Sequence, residues 1–340
     1  MTRPSLTRRA FAACLPVLVA VAAASFYTPA ALAQETPVKF QLDWRYEGPA
    51  ALFLVPLAKG YFKAEKLDVT VDAGNGSGGT VTRVASGAYD MGFADMAALM
   101  EFEANNPTAP NKPVAVMMVY NNTPASVMAL KKSGIKSPAD LAGKKLGAPV
   151  FDAGRRSFPI FQKANGVGAV TWISMDPPLR ETMLARGDVD AITGFTFTSL
   201  LNLEARGVKA DDVVILPYPT YGVKLYGNVV IVNPKFLKEH PAQVKAFLVA
   251  FTRGVKDVLA RPEAAVLDVK ARDGIINTEL ETRRLKLAID SQKVADIVFR
   301  GNAAAAELTC CGQQECAAAN GAQTPHRPCT LRDPRDQFRR

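Results

Sequence analysis

Hydrophobic residues follow two patterns along the chain, and together these predict alternating β-strands and α-helices. Short apolar or alternating runs predict strands at residues 38–42, 67–71, 90–93, 114–120, 127–130, 146–150, 170–173, 191–192, 213–216 and 229–232. Segments with helical spacing, several begun by proline or ended by glycine, predict helices at residues 50–59, 80–86, 96–103, 158–164, 181–186, 234–238, 241–259, 264–271 and 278–298. The alternation predicts an α/β protein built from βαβ units with largely parallel sheets.

Two such α/β sets of similar size precede a block of helices, and this organisation predicts two lobes. The segments between the sets, residues 120–125 and 217–227, are rich in Pro, Asn, Gly and Tyr, which is typical of linkers that carry function. A chain that crosses twice would build its first lobe from residues 34–124 and 228–300 and its second from residues 125–227. At 340 residues the chain is long enough for two cores.

The two ends of the chain differ in pattern from residues 34–300. The first 33 residues contain Arg8-Arg9, an apolar stretch at 11–21 and a final Ala31-Leu32-Ala33, which is typical of a cleaved export signal. We expect export to the periplasm by the twin-arginine or the general secretory route. Residues 301–340 lose hydrophobic periodicity, so we expect an atypical, disordered tail. The tail holds four of the five cysteines, Cys310, Cys311, Cys316 and Cys329, at spacings that do not match a zinc site.

The charge of the chain is positive but scattered. There are 41 Lys and Arg against 32 Asp and Glu, a formal net charge of +9, without a run of five like charges. Such a pattern suits a small anionic or polar ligand at least as well as a nucleic acid. We therefore expect no nucleic-acid partner.

A glycine-rich segment, residues 74–79, matches the pattern G-x-G-x-x-G between a predicted strand and a predicted helix. Such a loop turns backbone N–H groups and a helix N-terminus toward an anion or another acceptor, as in dinucleotide-binding proteins. We interpret it as a ligand cradle. An NAD-type oxidoreductase built on this loop stays open as an alternative, and so does a plain flexible turn.

Several segments resemble the family of ABC-transporter substrate-binding proteins for thiamine-pyrimidine precursors, sulfonates, taurine and nitrate. They are QLDW at 41–44, AKGYFK at 58–63, LDV at 67–69, ASGAYDMG at 85–92, KSPADLAGK at 136–144 and GDVDA at 187–191. The resemblance implies a two-lobed, type II-like periplasmic binding protein. Each lobe would be a mostly parallel sheet flanked by helices, and the lobes would close on a ligand like a hinge.

In such proteins the ligand lies between the lobes, on loops that follow the carboxyl ends of strands. The resemblance therefore implies ligand-binding residues in the first lobe and at the first crossing: Asp43, Trp44, Tyr46, Ser77, Gly78, Gly79, Thr80, Asp95, Met96, Asn121 and Asn122. Trp44 would stack on a planar ring and Asp43 would accept from an amino or ring N–H group. The alternative for Trp44 is a half-buried core aromatic.

The second lobe and the second crossing would contribute Asp152, Gly154, Arg155, Arg156, Phe195, Tyr221 and Tyr226. Arg155 or Arg156 would bind a carboxylate, sulfonate or phosphate, unless both are solvated surface charges. Phe195 would face Trp44 across the ligand. The two tyrosines would close the cleft or merely pack.

Histidine and cysteine are scarce, which argues against enzymes that depend on them. The histidines are His240 and His326, and residues 34–302 contain no cysteine. Nucleophilic triads, histidine bases and most transition-metal sites are thereby excluded from the predicted cleft. The family has an enzymatic relative, hydroxymethylpyrimidine phosphate synthase, which relies on a cleft histidine and a cysteine-rich motif, but residues 193–198 here lack cysteine. We predict no enzymatic activity, no cofactor and no metal.

The resemblance implies a monomeric periplasmic protein that delivers a small planar or anionic solute to an inner-membrane ABC permease with a separate ATPase. Within the family, Asp43-Trp44 favours a thiamine-pyrimidine-like ligand. An alkylsulfonate, taurine, nitrate or aromatic carboxylate is the alternative, and a sensor module that docks on a membrane receptor also stays open.

Overall fold

The fold is known from a computed structural model that describes residues 35–292 and residue 294. The predicted export signal, the predicted tail and the end of the last predicted helix lie outside these residues. The strands are β1 (Thr36–Gln41), β2 (Leu67–Asp72), β3 (Met91–Asp95), β4 (Val114–Met118), β5 (Ala125–Leu130), β6 (Lys145–Ala148), β7 (Thr171–Ser174), β8 (Ala191–Phe195), β9 (Val213–Pro217) and β10 (Asn228–Val232).

The α-helices pack on both sides of the strands. They are α1 (Ala51–Ala58), α2 (Tyr61–Ala64), α3 (Ser77–Ala85), α4 (Met96–Asn105), α5 (Ala153–Ala164), α6 (Arg180–Arg186), α7 (Thr196–Glu204), α8 (Pro234–Glu239), α9 (Pro241–Ala260), α10 (Pro262–Arg272) and α11 (Thr278–Gln292). Short 3₁₀ turns cover Gly48–Ala50, Lys131–Ser133, Pro138–Leu141, Pro177–Leu179, Ala210–Asp212 and Tyr218–Tyr221. No helix within the described ranges is long and apolar enough to cross a membrane.

The strands form two sheets of five. The first sheet has the order β2-β1-β3-β10-β4 and the second β7-β6-β8-β5-β9. The chain passes from the first sheet to the second after β4 and returns before β10, so it crosses twice. The lobe boundaries given above stay a prediction.

Both sheets are mixed: four of the five strands in each run in one direction and one runs against them, which confirms the expectation of mostly parallel sheets. β10 is antiparallel to β3 and β4, and β5 is antiparallel to β8 and β9, whereas the remaining pairs are parallel. Each reversed strand is the first that the chain forms after a crossing. Hydrophobic periodicity carries no information on strand direction, so the sequence pattern could not show this reversal.

Stacked aromatic rings from the first sheet and its helices form much of the first core. Phe40 on β1 stacks on Phe247 of α9, with ring centroids 5.1 Å apart. Phe53 of α1 stacks on Phe251, also of α9, at 4.8 Å. All four side chains are buried. Burial of each ring contributes about 2–3 kcal/mol to folding, so these contacts fix both β1 and α1 against α9.

Both sheets contain the same hydrogen-bonded turn between a helix and the strand that follows it. Asp90 accepts a hydrogen bond from the backbone N–H of Lys39 within the neighbouring strand β1, and Asp190 accepts one from Lys145 at the start of β6, both at 2.8 Å. A glycine with positive φ, +79° and +85° respectively, stands three residues before each aspartate. The motifs at 85–92 and 187–191 are therefore equivalent turns.

Two helices begin earlier than the sequence pattern predicts. α5 begins at Ala153 instead of residue 158, because Asp152 caps it by accepting from the backbone N–H of Arg155 at 2.9 Å. Pro159 lies inside this helix. α3 begins at Ser77 instead of residue 80, since the last glycines of the glycine-rich segment adopt helical conformation. In both places a glycine or proline within the helix led the sequence pattern to miss its first residues.

Candidate functional site

A cavity lined by residues of both halves lies between the two sheets, a common position for small-molecule sites. Its lining follows the carboxyl ends of strands from both sheets, as expected for an open α/β fold. The lining residues are Leu42, Asp43, Trp44, Arg45, Glu47, Pro49, Ala50, Phe53, Gly76, Ser77, Phe93, Tyr120, Asp152, Ala153, Arg180, Phe195, Phe197 and Thr198. Five residues predicted to bind ligand are among them: Asp43, Trp44, Ser77, Asp152 and Phe195.

Asp43 and Trp44 enter the cavity from the loop after β1. Asn228 donates a hydrogen bond from Nδ2 to Asp43 Oδ2 at 2.6 Å. Burial raises the pKa of Asp43 to about 7, although the bond from Asn228 opposes this effect. The Nε1 donor of Trp44 is buried and has no hydrogen-bond partner among the described residues. The pair therefore offers an aromatic face, an N–H donor and a carboxyl group.

Arg180, at the first position of α6, packs on Trp44 from the opposite side of the cavity. Its guanidinium carbon lies 4.8 Å from the centroid of the Trp44 ring. The side chain is 1% exposed, donates from Nη1 to Asp152 Oδ2 at 2.9 Å, and donates from Nε to Glu181 Oε1 at 2.8 Å. A Cβ on Gly194 would lie 2.8 Å from Arg180 Nη1, so this glycine makes room for the guanidinium.

The prediction did not include Arg180. The sequence offers only one indication: Arg180 stands directly before the helix predicted at residues 181–186. Its role depends on two acids, Asp152 and Glu181, and one of them lies 28 positions away.

Asp152 connects the second sheet to Arg180. Its Oδ1 accepts from the backbone N–H of Arg155 and, at 3.0 Å, from Thr193 Oγ1. Burial raises the pKa of Asp152, while the Arg180 charge lowers it; the net direction is upward. Asp152 is thus fixed by the helix cap, the β8 hydroxyl and the arginine together.

Asp95 lies just behind the cavity wall. Its backbone N–H donates to the Oγ of Ser77, a lining residue, at 3.0 Å, and its Oδ1 caps α4 by accepting from Ala97 N at 2.9 Å. Burial raises its pKa to about 7. Its Oδ2 is buried without a hydrogen-bond partner in the described structure.

Glu47 and Arg284 bridge the two halves on another side of the cavity. Thr198 Oγ1 donates to Glu47 Oε2 at 3.1 Å, and Arg284 donates to the backbone oxygen of Thr198 at 2.7 Å and to Glu281 Oε2 at 2.9 Å. Burial would raise the pKa of Glu47, but the charges of Arg284 and Arg45 outweigh it and lower the pKa. Glu47 is therefore ionised, and the charges of Arg284 and Arg45 balance its own charge.

The glycine-rich segment is mainly a contact between the two halves. A Cβ on Gly76, whose φ is +134°, would lie 2.3 Å from the backbone oxygen of Phe151, and Gly78 N donates to that same oxygen at 3.1 Å. A Cβ on Gly74 would lie 2.1 Å from the backbone oxygen of Leu42. The glycines thus allow backbone segments to approach one another, and of this segment only Gly76 and Ser77 line the cavity.

Arg155 and Arg156 lie outside the cavity lining and already have partners. Arg155 donates to Ser174 Oγ at 2.9 Å and stacks over Trp172, with its guanidinium carbon 4.8 Å from the ring centroid. Arg156 pairs with Glu101 at 3.0 Å. These contacts turn both guanidinium groups away from the cavity, and Arg180 is the arginine from this half that lines it.

The remaining predicted residues also lie outside the lining. They are Tyr46, whose hydroxyl donates to Val71 O; Gly78, Gly79 and Thr80 in α3; Met96 in α4; Asn121 and Asn122 at the first crossing; Gly154 in α5; Tyr221, which packs on Phe161; and Tyr226, which is exposed. Their ligand-binding roles stay predictions. Sequence reasoning did not identify Arg45, Glu47, Tyr120, Phe197 and Thr198, because their positions depend on contacts between the two halves.

Comparisons with known proteins agree with this architecture. A model of the family described as NMT1/THI5 like matches residues 50–265. The 4-amino-5-hydroxymethyl-2-methylpyrimidine phosphate synthase of Aspergillus parasiticus is 28% identical over 239 residues, covering 67% of this chain and 68% of the relative. Riboflavin-binding protein RibY of Chloroflexus aurantiacus is 26% identical over 255 residues, with coverages of 74% and 71%.

Among solved structures, the periplasmic aliphatic sulphonate binding protein SsuA from Escherichia coli matches with a TM-score of 0.58. The match covers 76% of this chain and 84% of that chain at 12% identity. At this identity the likeness concerns the fold. It confirms the predicted two-part binding-protein architecture with helices on both sides of each sheet.

These relatives contradict the prediction that the chain has no enzymatic activity. Proteins named as the pyrimidine phosphate synthase in Aspergillus parasiticus, Candida albicans and Saccharomyces cerevisiae match at 25–28% identity over 67–73% of the chain. The scarcity of histidine and cysteine excludes only reactions that need those residues. Buried carboxyl groups such as Asp43 and Asp95, with pKa values of about 7, are also suited to proton transfer near neutral pH.

Proposed function

Because the chain belongs to the NMT1/THI5-like family, we propose that it binds a small planar nitrogen heterocycle of the thiamine-pyrimidine type in the cavity between its two sheets. Binding would hold the two halves closed around the ligand. The observation that carries this proposal is the adjacent pair Asp43-Trp44, because it supplies a ring face, an unpartnered N–H donor and a carboxyl group at one place in the wall.

An aminopyrimidine matches this pair chemically. Its flat ring stacks on an indole, an interaction worth about 1–3 kcal/mol for nucleic-acid bases on aromatic side chains. Its ring nitrogen accepts from an N–H such as that of Trp44, and its amino group donates to a carboxylate such as that of Asp43. Riboflavin, the ligand in the name of the relative RibY, is also a planar nitrogen heterocycle.

The charges of the wall favour such a ligand over a sulfonate or nitrate. Asp43, Glu47 and Asp152 are acidic lining residues. The two basic lining residues are already paired, Arg45 with Glu47 and the buried Arg180 with Asp152 and Glu181. An anion would have to approach these carboxyl groups and compete for a neutralised guanidinium, which costs free energy in a buried site.

We propose further that the protein is exported to the periplasm and passes its ligand to an inner-membrane ABC permease with a separate ATPase. The fold shared with a periplasmic sulphonate-binding protein and the N-terminal pattern of residues 1–33 support this. An alkylsulfonate- or nitrate-binding role is the second candidate, and the fold match to SsuA is the observation in its favour.

Isothermal titration calorimetry on the full purified chain tests the ligand class. We expect 4-amino-5-hydroxymethyl-2-methylpyrimidine to bind and ethanesulfonate and nitrate not to bind. Arg155→Ala and Arg156→Ala serve as controls and should leave pyrimidine affinity within twofold. Tight binding of ethanesulfonate or nitrate would overturn the proposal in favour of the second candidate.

A further inference from the structure

Asn228 stands between two buried carboxyl groups. Its Nδ2 donates to Asp43 Oδ2 at 2.6 Å. It is also paired directly with Asp95 across the antiparallel strands β10 and β3, so the side chains of these two residues leave the sheet on the same face, with Cβ atoms about 5 Å apart. One carboxamide therefore lies within reach of both carboxyl groups.

Two acceptor atoms in this group lack a donor. Asp95 Oδ2 and Asn228 Oδ1 are both buried and have no hydrogen-bond partner among the described residues. The two residues are 1% and 0% exposed. A buried acceptor without a donor costs about 1–3 kcal/mol, so two of them on paired positions call for an explanation.

A single proton can provide the hydrogen bond that both acceptor atoms lack. If Asp95 carries it on Oδ2, that O–H group can donate to Asn228 Oδ1, and both acceptors are satisfied. If the carboxamide is rotated by 180°, its Nδ2 faces Asp95 and its Oδ1 faces Asp43 at 2.6 Å, and then Asp43 must carry the proton. Either orientation requires one protonated carboxyl group.

We propose that Asp43 and Asp95 share one proton at neutral pH, that it resides on Asp95 and is donated to Asn228, and that Asp95 thereby acts as a positioning residue for Asp43. The carboxamide would be held with its N–H toward Asp43. Asp43 would then keep its charge and present an acceptor to the cavity.

The groups around the pair are consistent with one proton rather than none. Glu47 and Asp152 face Asp43, and Asp43 and Asp152 face Asp95; each of these charges disfavours a second ionised carboxyl group. The amides at the start of α4 favour ionised Asp95, but burial outweighs them, and the pKa of each aspartate rises to about 7.

Two tyrosines also face the group. Tyr120 feels the charge of Asp43, and Tyr218 feels the charges of Asp152 and Asp95. Burial raises the pKa of both phenols, so they stay neutral near pH 7. Arg180 is the nearby cation, but it is engaged with Asp152 and Glu181.

Infrared spectroscopy of the ligand-free protein tests the location of the proton. At pH 7 we expect a carbonyl band of a protonated carboxylic acid that disappears in Asp95→Asn and remains in Asp43→Asn. Asp90→Asn is the control, because Asp90 accepts from a backbone amide at an exposed turn and should not affect the band. A spectrum unchanged by Asp95→Asn, as expected if a water bridges an ionised Asp95, would refute the proposal.

Two substitutions that both preserve the helix cap separate positioning from folding. Asn and Ser are both good N-caps, but only Asn is long enough to donate to Asn228. With 4-amino-5-hydroxymethyl-2-methylpyrimidine as the probe, we expect Asp95→Asn to bind within twofold of wild type and Asp95→Ser to bind at least tenfold more weakly, with similar melting temperatures. Equal affinities would show that Asp95 does not position Asp43.

This binding measurement rests on the proposed function, whereas the infrared measurement does not. If the band behaves as expected and the pyrimidine fails to bind to wild type, the ligand class is wrong and the shared proton stands. If the pyrimidine binds and the band is insensitive to Asp95→Asn, the proposed function stands and the shared proton is wrong.

Discussion

The Arg180 guanidinium lies 4.8 Å from the centroid of the Trp44 ring, although the two residues belong to different halves of the molecule. Trp44 follows β1 of the first sheet, and Arg180 begins α6, which packs on the second sheet through Leu184. A buried cation on an aromatic face contributes about 2 kcal/mol when desolvated. This contact therefore couples the ring that we propose for ligand stacking to the association of the two halves.

The first prediction concerns the stacking ring. Trp44→Ala should weaken binding of 4-amino-5-hydroxymethyl-2-methylpyrimidine by about 10- to 100-fold, because it removes a stacking interaction of about 1–3 kcal/mol. Trp172→Phe is the matched control, since Trp172 stacks with Arg155 outside the cavity. Calorimetric titration measures both. Equal losses in the two variants would mean that Trp44 is only a core aromatic residue.

The second prediction concerns the buried arginine. Arg180→Met should lower the free energy of unfolding by about 3–5 kcal/mol, because it leaves Asp152 and Glu181 buried without their partner. Arg186→Met, in the same helix, removes an arginine that is 72% exposed and should change stability by less than about 1 kcal/mol. Urea denaturation followed by circular dichroism compares them. A loss below about 1 kcal/mol for Arg180→Met would contradict the buried network.

The third prediction concerns the glycine-rich segment. Gly76→Ala should weaken ligand binding at least tenfold, because its Cβ would lie 2.3 Å from the Phe151 oxygen and force the two halves apart. Gly134→Ala is the control. Gly134 also has a positive φ, +76°, but nothing lies within 4 Å of its Cβ position. Gly134→Ala introduces only the backbone cost of a left-handed residue, so only Gly76→Ala, which also clashes with the other half, should lose affinity and show a larger radius of gyration in X-ray scattering.

The fourth prediction concerns pH and Asp43. Its pKa is about 7 in the folded protein against an ordinary value of 3.8, so the folded state holds the proton more tightly. The stability from protonated Asp43 is fully present below pH 4 and is lost as the pH rises from 4 through 7, which leaves Asp43 charged at neutral pH while Asp95 keeps the shared proton. Asp43→Asn should therefore equal wild type at pH 4 and exceed it by about 4 kcal/mol at pH 8.

Unfolding curves at the two pH values check this difference. Asp90→Asn, at an exposed turn, is a suitable companion. A constant offset between Asp43→Asn and wild type at both pH values would show that Asp43 ionises normally. The variant should also fail to bind the pyrimidine, because a neutral amide replaces the charged acceptor.

Much of the local structure followed from the sequence. Prolines, glycines and apolar spacing indicated each strand and most helices to within a few residues. Asp43 and Trp44 were placed at the end of β1 and lie in the cavity wall. These features depend on neighbours a few positions away, which a sequence pattern records directly.

The sequence did not show which arginine of the second half lines the cavity. Arg155 and Arg156 follow a strand of the second sheet, as a ligand-binding residue would, yet Trp172, Ser174 and Glu101 hold them elsewhere. No local pattern distinguishes them from Arg180.

The sequence alone determined the order of elements, the double crossing and the family resemblance, because each depends on the spacing of residues that are close together in the chain. Only the tertiary structure decided the direction of β5 and β10, the contact of Gly76 with Phe151 and the pKa values of Asp43 and Asp95. These properties arise where residues distant in sequence meet and exclude water, and burial and contact between such residues are set by the packing of whole elements.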